Sequence, residues 1–330
     1  MRHEKIVVLG GTGFIGRYVV ARLAAQGRRV VVPTRRAQNA REIQSLPTVE
    51  VVTADIHELA SLQRVLSGSD AVINLVGLLH DGRGDPYGAG FAQAHVSLPR
   101  RLVTACPQVG IRRLVHLSAL GVDLVARNPS MYLRSKADGE HAVDQSLLDW
   151  TVLRPSVVFG PEDQFLNLFA RLLPIAPCFP LAGASCRFAP VYVGDVAAAI
   201  IAALDEPASF GQTYELAGPQ IFTLQQLVLW VGQVTGHRRP VLPLSATLGR
   251  LQAWCLEHLP GPTLMSVDNI DSMAVDQVPS GKVPCFPALL GIEPQALSEL
   301  APTWLAAQSE MRHGVGHFLP LRARGHRGIR

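Results

Sequence analysis

Two side chains near the middle of the sequence have the types and the spacing needed to pass a proton to a bound substrate. Tyr132 and Lys136 stand four positions apart at the start of a predicted helix, so both lie on one helix face. A lysine there lowers the pKa of the phenol and can bind a nicotinamide ribose, which makes the tyrosine a usable proton donor. With five tyrosines and three lysines in the chain, chance predicts about 0.05 such pairs. The pair therefore indicates a catalytic or cofactor site.

A glycine-rich stretch near the N-terminus has the pattern of a phosphate-binding turn. Glycines at 10, 13 and 16 follow an apolar predicted strand and open a predicted helix. They allow a tight turn, a close approach to a pyrophosphate and close packing of helix on strand, and the helix N-terminus stabilises the anion. The predicted dinucleotide contacts in this stretch are Gly10, Thr12, Gly13, Phe14, Ile15 and Gly16.

The residues after the second predicted strand indicate which dinucleotide is bound. An NAD site places Asp or Glu about 20 residues after the glycines, where it binds the ribose hydroxyls. This chain has Arg35 and Arg36 there and no acid before Glu42. Two guanidinium groups can bind a 2′-phosphate in a bidentate manner. The sequence therefore predicts NADP(H) in preference to NAD(H).

Alternating short apolar runs and amphipathic stretches predict the elements that position these residues. In the first 155 residues the alternation is typical of βαβ units and a parallel sheet. Predicted strands cover Ile6–Leu9, Arg29–Val32, Glu50–Thr53, Ala71–Leu75, Leu114–Leu117 and Thr151–Leu153. Predicted helices cover Arg17–Gln26, Leu59–Leu66, Phe91–Cys106 and Tyr132–Leu147. We expect an α/β fold with a Rossmann-type, doubly wound parallel sheet.

The pattern changes after Pro155, where five prolines fall within 30 residues and the βα alternation ends. Short predicted elements follow, among them a strand at Thr213–Leu216, a helix at Leu224–Val234 and a last helix near Ala296–Gln308. We expect an NADP(H)-binding domain at 1–155 whose sheet is completed by later segments. A smaller mixed substrate-side domain is expected at 156–310, and a basic flexible tail at 311–330.

Composition and charge exclude several classes of protein. The chain is 48% hydrophobic and 17% charged, which excludes a disordered protein. The net charge of +4 comes from the tail, where residues 311–330 hold five arginines and no acid. A near-neutral body argues against nucleic-acid binding. The tail is either a solubilising extension or a peripheral contact with an anionic membrane.

The cysteines and histidines bear on compartment and metal binding. Five widely separated cysteines, none in a Cys-x-x-Cys pair, indicate reduced thiols in a cytosolic-type compartment. The histidines lack the spacing of metal ligands, so no metal site is expected. We expect the protein in the cytoplasm, either free or peripheral on the inner face of the cytoplasmic membrane.

Together, these motifs resemble the short-chain dehydrogenase/reductase superfamily, in its extended or atypical branch. The shared motifs are the glycines at 10–16, Asp55-Ile56, Asn74 to Gly77, the Tyr132/Lys136 pair and Leu153 to Ser156. In that family the acid after the third strand contacts adenine, and the segment after the fourth strand lies against the cofactor. The resemblance implies cofactor contacts at Asp55, Ile56, Asn74, Val76, Gly77, Lys136 and Pro155.

Motifs farther along the chain narrow the resemblance. Stretches such as Val157 to Asp163, Pro190 to Val196 and Tyr214 to Pro219 are similar to those of the atypical group that contains the nucleotide-binding accessory subunit of respiratory complex I and its bacterial homologues. The resemblance implies tightly held NADP(H), a structural or redox-sensing role with little turnover, and a respiratory-chain or quinone-pathway complex as partner.

An active enzyme is the alternative that the residues leave open. Extended members of the family carry a third catalytic residue, Ser or Thr, just past the fifth strand. Aligned on the strand end, that position falls on Ala119, and Ser118 is one residue away, which in a strand turns its side chain to the other face. If Ser118 or Tyr132 alone suffices, the chain would be an NADP-dependent oxidoreductase or epimerase. Its substrate would be a hydrophobic carbonyl or alcohol, such as a quinone precursor or a sterol-like ring, or a nucleotide sugar.

Overall fold

A seven-stranded parallel sheet forms the centre of the structure. The computed structural model describes residues 2–127, 130–258 and 265–306. The strands of this sheet are β1 (Lys5–Leu9), β2 (Arg29–Thr34), β3 (Val49–Thr53), β4 (Ala71–Asn74), β5 (Arg113–Leu117), β6 (Asp149–Pro155) and β11 (Gln212–Leu216). They lie in the order β11-β6-β5-β4-β1-β2-β3, and every neighbouring pair is parallel.

Helices cover both faces of the sheet, which explains why its strands are apolar on both sides. The helices are α1 (Phe14–Ala25), α2 (Leu59–Leu66), α3 (Ala89–Phe91), α4 (Leu98–Gln108), α5 (Met131–Asp144), α6 (Leu166–Leu172), α7 (Val193–Asp205), α8 (Leu224–Val234), α9 (Ala246–Glu257), α10 (Val267–Ser272) and α11 (Leu297–Leu300). Side chains of α1 and α7 pack on one face, and those of α2, α4 and α5 pack on the other. The predicted doubly wound α/β architecture is confirmed.

The strand order reverses between β1 and β4. In doubly wound sheets, ligands bind in the crevice at the carboxyl ends of the strands at this switch point. Gly10 follows β1, and a Cβ on it would lie 3.0 Å from the carbonyl carbon of Leu75, which follows β4. The fold therefore brings the glycine-rich turn and the segment after β4 side by side.

Residues after 155 serve two parts of the fold. Some of them form a second apolar core, to which α6, α8, and the segment from α11 to Leu305 contribute. Short strand pairs flank that core, namely β7 (Val158–Phe159) with β10 (Val191–Tyr192), β8 (Phe179–Leu181) with β13 (Val241–Pro243), and β9 (Arg187–Phe188) with β12 (Phe222–Thr223). Others, β11 and α7, complete the main sheet and its cover. The boundary at 155 stays a prediction.

One predicted helix is interrupted. The apolar spacing predicts a continuous helix over Phe91–Cys106, but a π-helical turn at Ala92–Ser97 separates α3 from α4. The neighbouring helix comes close at this turn, where a Cβ on Gly139 of α5 would lie 1.8 Å from the carbonyl oxygen of His95. The two backbones approach closely at the point where the extra residue is accommodated.

Two sequence features bear on membrane contact, namely long apolar helices and the basic tail. Across residues 2–127, 130–258 and 265–306, no helix has the length and hydropathy to cross a bilayer. The predicted basic tail at 311–330 lies outside the described residues.

Candidate functional site

The glycine-rich turn after β1 has the geometry of an anion cradle. Gly10 adopts a φ of +78°, which favours glycine, and its carbonyl oxygen accepts a hydrogen bond from Gly13 N at 2.9 Å. A Cβ on Gly16 would lie 2.2 Å from that same oxygen. Gly13 is the N-cap of α1 and has no side chain to bond the first turn. The N–H groups of Phe14 and Ile15, which open α1, are therefore available to a phosphate. Thr12 lies between the glycines in the same turn.

Two exposed arginines follow β2. The Thr34 hydroxyl bonds to the backbone of Arg36, at 3.1 Å to its oxygen and 3.3 Å from its nitrogen, and so fixes the turn at the strand end. Neither Arg35 nor Arg36 has an ion-pair partner among the described residues. Glu42, the first acid after the strand, pairs with Arg17 of α1 instead. Two exposed cationic groups therefore follow β2 without an ion-pair partner among the described residues.

Asp55 and Ile56 follow β3 on the same side of the sheet. The Asp55 carboxylate accepts a hydrogen bond from His57 N at 2.9 Å, and Ile56 packs on the core under α2. Burial lowers the pKa of His57; the Asp55 charge opposes this shift, while Arg101 and Arg35 add to it. Because the Arg35 charge acts on His57, Arg35 lies near the turn that begins at Asp55.

Asn74, at the end of β4, shapes the segment that follows it. Its Oδ1 accepts from Val76 N at 3.2 Å, and its Nδ2 lies 3.1 Å from Nδ1 of His116 on β5. Asn74 is 1% exposed, so both ends of its amide are used inside the protein. Its bonds set the course of the backbone at Val76 and Gly77.

Lys136 lies beneath this segment. Its Nζ donates a hydrogen bond to the carbonyl oxygen of Leu117 at 3.0 Å, and a Cβ on Gly77 would lie 3.5 Å from the same Nζ. The side chain is buried, and burial lowers the pKa of Lys136 to about 8, although the Glu140 charge acts in the opposite direction. The structure therefore brings Gly77 and Lys136 together, as the family resemblance implies. Pro155, at the end of β6, accepts from Leu120 N at 3.0 Å and lies one strand farther away.

Tyr132 lies at the start of α5 among aromatic rings. Its ring centroid is 6.1 Å from that of Phe91 and 5.6 Å from that of His95. Burial raises the pKa of Tyr132 to about 12, and the Asp268 charge adds to the shift. The expectation that the pKa of this phenol is lowered is therefore wrong for the protein by itself, because burial and the Asp268 carboxylate both raise it.

Ala119 belongs to an apolar cluster against which Tyr132 packs. Ser118 N donates to Leu153 O at 2.7 Å, and its hydroxyl is buried with no hydrogen-bond partner in the part of the chain that the structure describes. Ala119 therefore contributes a methyl group, and no hydroxyl, to the surroundings of the Tyr132 ring. A catalytic role for Ser118 stays a prediction.

Two buried histidines near Lys136 were not identified from the sequence. His95 Nε2 accepts from Leu78 N at 2.9 Å, so its Nδ1 carries the proton and donates to Ser135 Oγ at 2.8 Å. Burial lowers the pKa of His95 to about 2 and that of His116 to about 3. The Lys136 charge makes a smaller contribution to both shifts. Both histidines are therefore neutral. The helical and strand patterns predict only that these two positions are buried. The sequence spacing of the two histidines gives no sign that they lie close together.

A cleft of about 550 Å³ opens beside the first turn of α5. Its lining combines apolar groups with charges of both signs, from Asp81, Arg83, Gly84, Met131, Arg134, Arg250, Leu251, Trp254, Glu257, Val267, Asp268 and Asp271. Leu251 and Trp254 on α9 are about half exposed. The cleft therefore offers an amphipathic surface near Tyr132. In the described part of the chain, no cluster of three or more His, Cys, Asp or Glu side chains is arranged to hold a metal ion.

Comparisons with known proteins agree with this geometry. Residues 6–217 match the model of the NAD dependent epimerase/dehydratase family. The mitochondrial NADH dehydrogenase (ubiquinone) 1 alpha subcomplex subunit 9 of Arabidopsis thaliana is 33% identical over 83% of this chain and 70% of its own length. The mouse protein of the same name is 33% identical over 70% of this chain but only 61% of its own length.

A solved structure of similar fold contains a bound dinucleotide. The Escherichia coli NADPH-dependent quinone oxidoreductase in complex with NADPH has a TM-score of 0.69 to this chain, and the match covers 93% of this chain and 99% of the other. At 19% identity, the likeness concerns the fold, which is a nucleotide-binding Rossmann fold.

Proposed function

Because the chain belongs to the NAD dependent epimerase/dehydratase family, we propose that it binds NADP(H) tightly and works as an accessory subunit of the complex I type, with a structural or redox-sensing role and little turnover. Several homologues carry the name of a complex I subunit. The alignments cover 70% and 61% of those relatives' own lengths. We therefore propose, rather than infer from their names, that this chain associates with a respiratory-chain or quinone-pathway complex.

The residues of the crevice fit a dinucleotide. The turn at Gly10 and Gly16 leaves no room for a Cβ where the backbone must approach a pyrophosphate. Arg35 and Arg36 are positively charged and pair with no acid among the described residues. Two such guanidinium groups favour the 2′-phosphate of NADP(H) over the free hydroxyl of NAD(H). Lys136 supplies a buried ammonium for the nicotinamide ribose. The bound cofactor would supply or accept a hydride at this end of the crevice.

One observation carries the proposal of little turnover, namely the surroundings of the Tyr132 side chain. Aligned on the end of β5, the position of the second hydrogen-bond donor falls on Ala119, which belongs to the apolar cluster around Tyr132, and loss of such a donor typically costs about a hundredfold in rate. Burial and Asp268 also hold the pKa of Tyr132 high, so the phenol resists release of its proton at neutral pH. The chain keeps its cofactor-binding residues but lacks part of the machinery for rapid proton transfer.

The first experiment identifies the nucleotide. We expect freshly purified protein, once denatured, to release NADP(H) in near-stoichiometric amount, identified by its mass. In protein freed of nucleotide, added NADPH should raise the Tm well above the effect of NADH. A chain that carries no dinucleotide and whose Tm is unchanged by NADPH would contradict the proposal.

A paired substitution tests the choice between the two dinucleotides. Replacing Arg35 and Arg36 by Ala removes two charged contacts, so NADPH affinity should fall by about 100-fold or more. NADH affinity should change little, because NADH has no 2′-phosphate. Arg41→Ala, an exposed arginine in the same stretch, is the matched control and should leave both affinities unchanged. An equal loss for the two nucleotides would refute the assignment.

The Tyr132/Lys136 pair favours one alternative, an active NADP-dependent oxidoreductase or epimerase. In this alternative Lys136 would bind the cofactor ribose. The cleft beside α5 has apolar and charged groups in its lining, so it can accept a hydrophobic carbonyl or alcohol or a nucleotide sugar. In this alternative, NADPH is oxidised steadily with a quinone or ketone, and Tyr132→Phe abolishes the reaction while leaving NADPH binding intact. A substrate screen with no turnover and retained cofactor supports the accessory role.

A further inference from the structure

The start of the helix that carries Tyr132 is held by a carboxylate from far along the chain. Asp268 of α10 accepts hydrogen bonds from Met131 N at 2.6 Å, from Tyr132 N at 3.0 Å and from the Ser130 hydroxyl at 3.2 Å. The first N–H groups of a helix have no partner within the helix. Asp268 therefore satisfies the two that open α5.

The remaining donor of that first turn is satisfied locally. Ser130 is the N-cap of α5, and its hydroxyl accepts from Leu133 N at 3.3 Å. Ser130 is fully buried and Asp268 is 7% exposed, so water does not compete for these bonds. An ionised carboxylate at a helix N-terminus also interacts favourably with the helix dipole. The cap is thus made by two residues 138 positions apart in sequence.

We propose that Asp268 is a positioning residue for Tyr132, supplied by the C-terminal segment, which fixes the first turn of α5 beside the cofactor site. α10 has its own N-terminal cap, because Ser266 and Asn269 form a capping box at its start. Asn269 Nδ2 also lies 3.5 Å from the carbonyl oxygen of Leu79, in the loop after β4. The short helix α10 therefore contacts both the first turn of α5 and the loop after β4.

The charge of Asp268 acts on the phenol as well as on the backbone. Asp268 accepts a hydrogen bond from Tyr132 N, and its charge adds to the effect of burial in raising the pKa of that phenol. Other titratable or charged groups around this contact are His80, His95, Lys136, Glu257, Asp271 and Arg134. Of these, Asp271 bonds Arg250 rather than α5.

Asp268→Asn tests the inference, since asparagine keeps one acceptor oxygen and loses the charge. We expect amide hydrogen exchange at Met131 and Tyr132 to become about tenfold faster or more, with the later turns of α5 unchanged. In protein with ¹³C-labelled tyrosine, the Tyr132 ring signal, assigned with Tyr132→Phe, should titrate about half a pH unit lower. Unchanged exchange and unchanged titration would overturn the proposal.

Asp271→Asn is the matched control, because it removes a carboxylate from the same helix that does not touch α5. It should leave the exchange at Met131 and Tyr132 unchanged. An equal effect of the two variants would mean that α10 acts only by packing, which also refutes the proposal.

A measurement on the unsubstituted protein covers the case in which Asp268→Asn fails to fold. On acidification, the amide protons of Met131 and Tyr132 should shift together with the Asp268 carboxyl carbon, above the ordinary aspartate range because burial raises that pKa. Amide shifts that ignore the carboxyl titration would refute the contact. The role for Tyr132 rests on the proposed function, but these readouts need neither nucleotide nor substrate. Failure of cofactor binding therefore leaves them intact, and their failure leaves cofactor binding untouched.

Discussion

The buried ammonium of Lys136 should cost the folded protein stability, and Lys136→Met should recover part of that cost. The side chain is 5% exposed and has one hydrogen bond, to the Leu117 carbonyl oxygen at 3.0 Å. Methionine has a similar length and no charge, so it should fill the same space. A residue retained for cofactor binding at the expense of stability is expected at a functional site.

The pKa of Lys136 sets the size of the effect. Lowering it from 10.5 to about 8 corresponds to about 3 kcal/mol of destabilisation at pH 7, at about 1.4 kcal/mol per unit. Loss of the bond to Leu117 costs about 1 kcal/mol. Between pH 8 and pH 10.5 the unfolded chain binds the proton and the folded chain releases it, so stability rises with pH. The variant should be about 2 kcal/mol more stable at pH 7, and the difference should fall to about zero by pH 10.

Urea unfolding of both proteins at several pH values measures this difference, and other titrating groups cancel in the comparison. Lys282→Met is the control, because Lys282 is 71% exposed, and it should change the free energy of unfolding by less than about 0.5 kcal/mol at every pH. With three lysines in the chain, labelled lysine side chains also give a direct titration of Lys136. A variant that is less stable at pH 7, by the same amount as at pH 10, refutes the reasoning.

Three further predictions concern the turn, the buried histidine and the sheet. Gly16→Ala would place a Cβ 2.2 Å from a backbone oxygen; it should abolish nucleotide binding and lower the free energy of unfolding by about 2–3 kcal/mol. Gly13→Ala, whose Cβ would meet that oxygen at 3.2 Å, should cost about 1 kcal/mol or less in urea unfolding. The low pKa of His116, about 3, means that stability is lost as the pH falls below 6.5, by about 1.4 kcal/mol per unit. His116→Leu should remove that part of the slope, and an unchanged slope would contradict its neutrality. Arg113→Met should cost about 3 kcal/mol or more, because the buried guanidinium donates to several carbonyl oxygens. The adjacent exposed Arg112→Met should cost about 0.5 kcal/mol or less.

Local patterns were enough to predict the first six strands and the glycine turn. Apolar runs between breakers gave strand ends within about two residues, because most of these runs are buried and their length is set by the sheet. The helix at Leu224–Val234 was predicted at its observed ends, and a Thr223–Gln226 capping box fixes its start. The glycine spacing predicted the tight turn after β1, because backbone geometry there depends on a few neighbours.

The surroundings of Tyr132 could not be predicted in the same way. Asp268 lies in a short helix 136 residues away, and a carboxylate in a polar stretch gives no sign of the helix it will cap. His95 belongs to a π-helical turn that packs closely against α5. A search for 3.6-residue periodicity does not reveal such a turn. The pKa of Tyr132 depends on burial by distant segments, so the sequence indicated the wrong direction for its shift.

The position of β11 at the edge of the sheet bears on how this protein is made. β11 pairs with β6 from Gln212 to Leu216, about 60 residues after β6 leaves the ribosome, and a pairing of that separation forms late. Until then, β6 presents an open row of backbone donors and acceptors that can pair with another nascent chain. We therefore expect a released fragment of residues 1–155 to aggregate rather than to accumulate as a free nucleotide-binding domain.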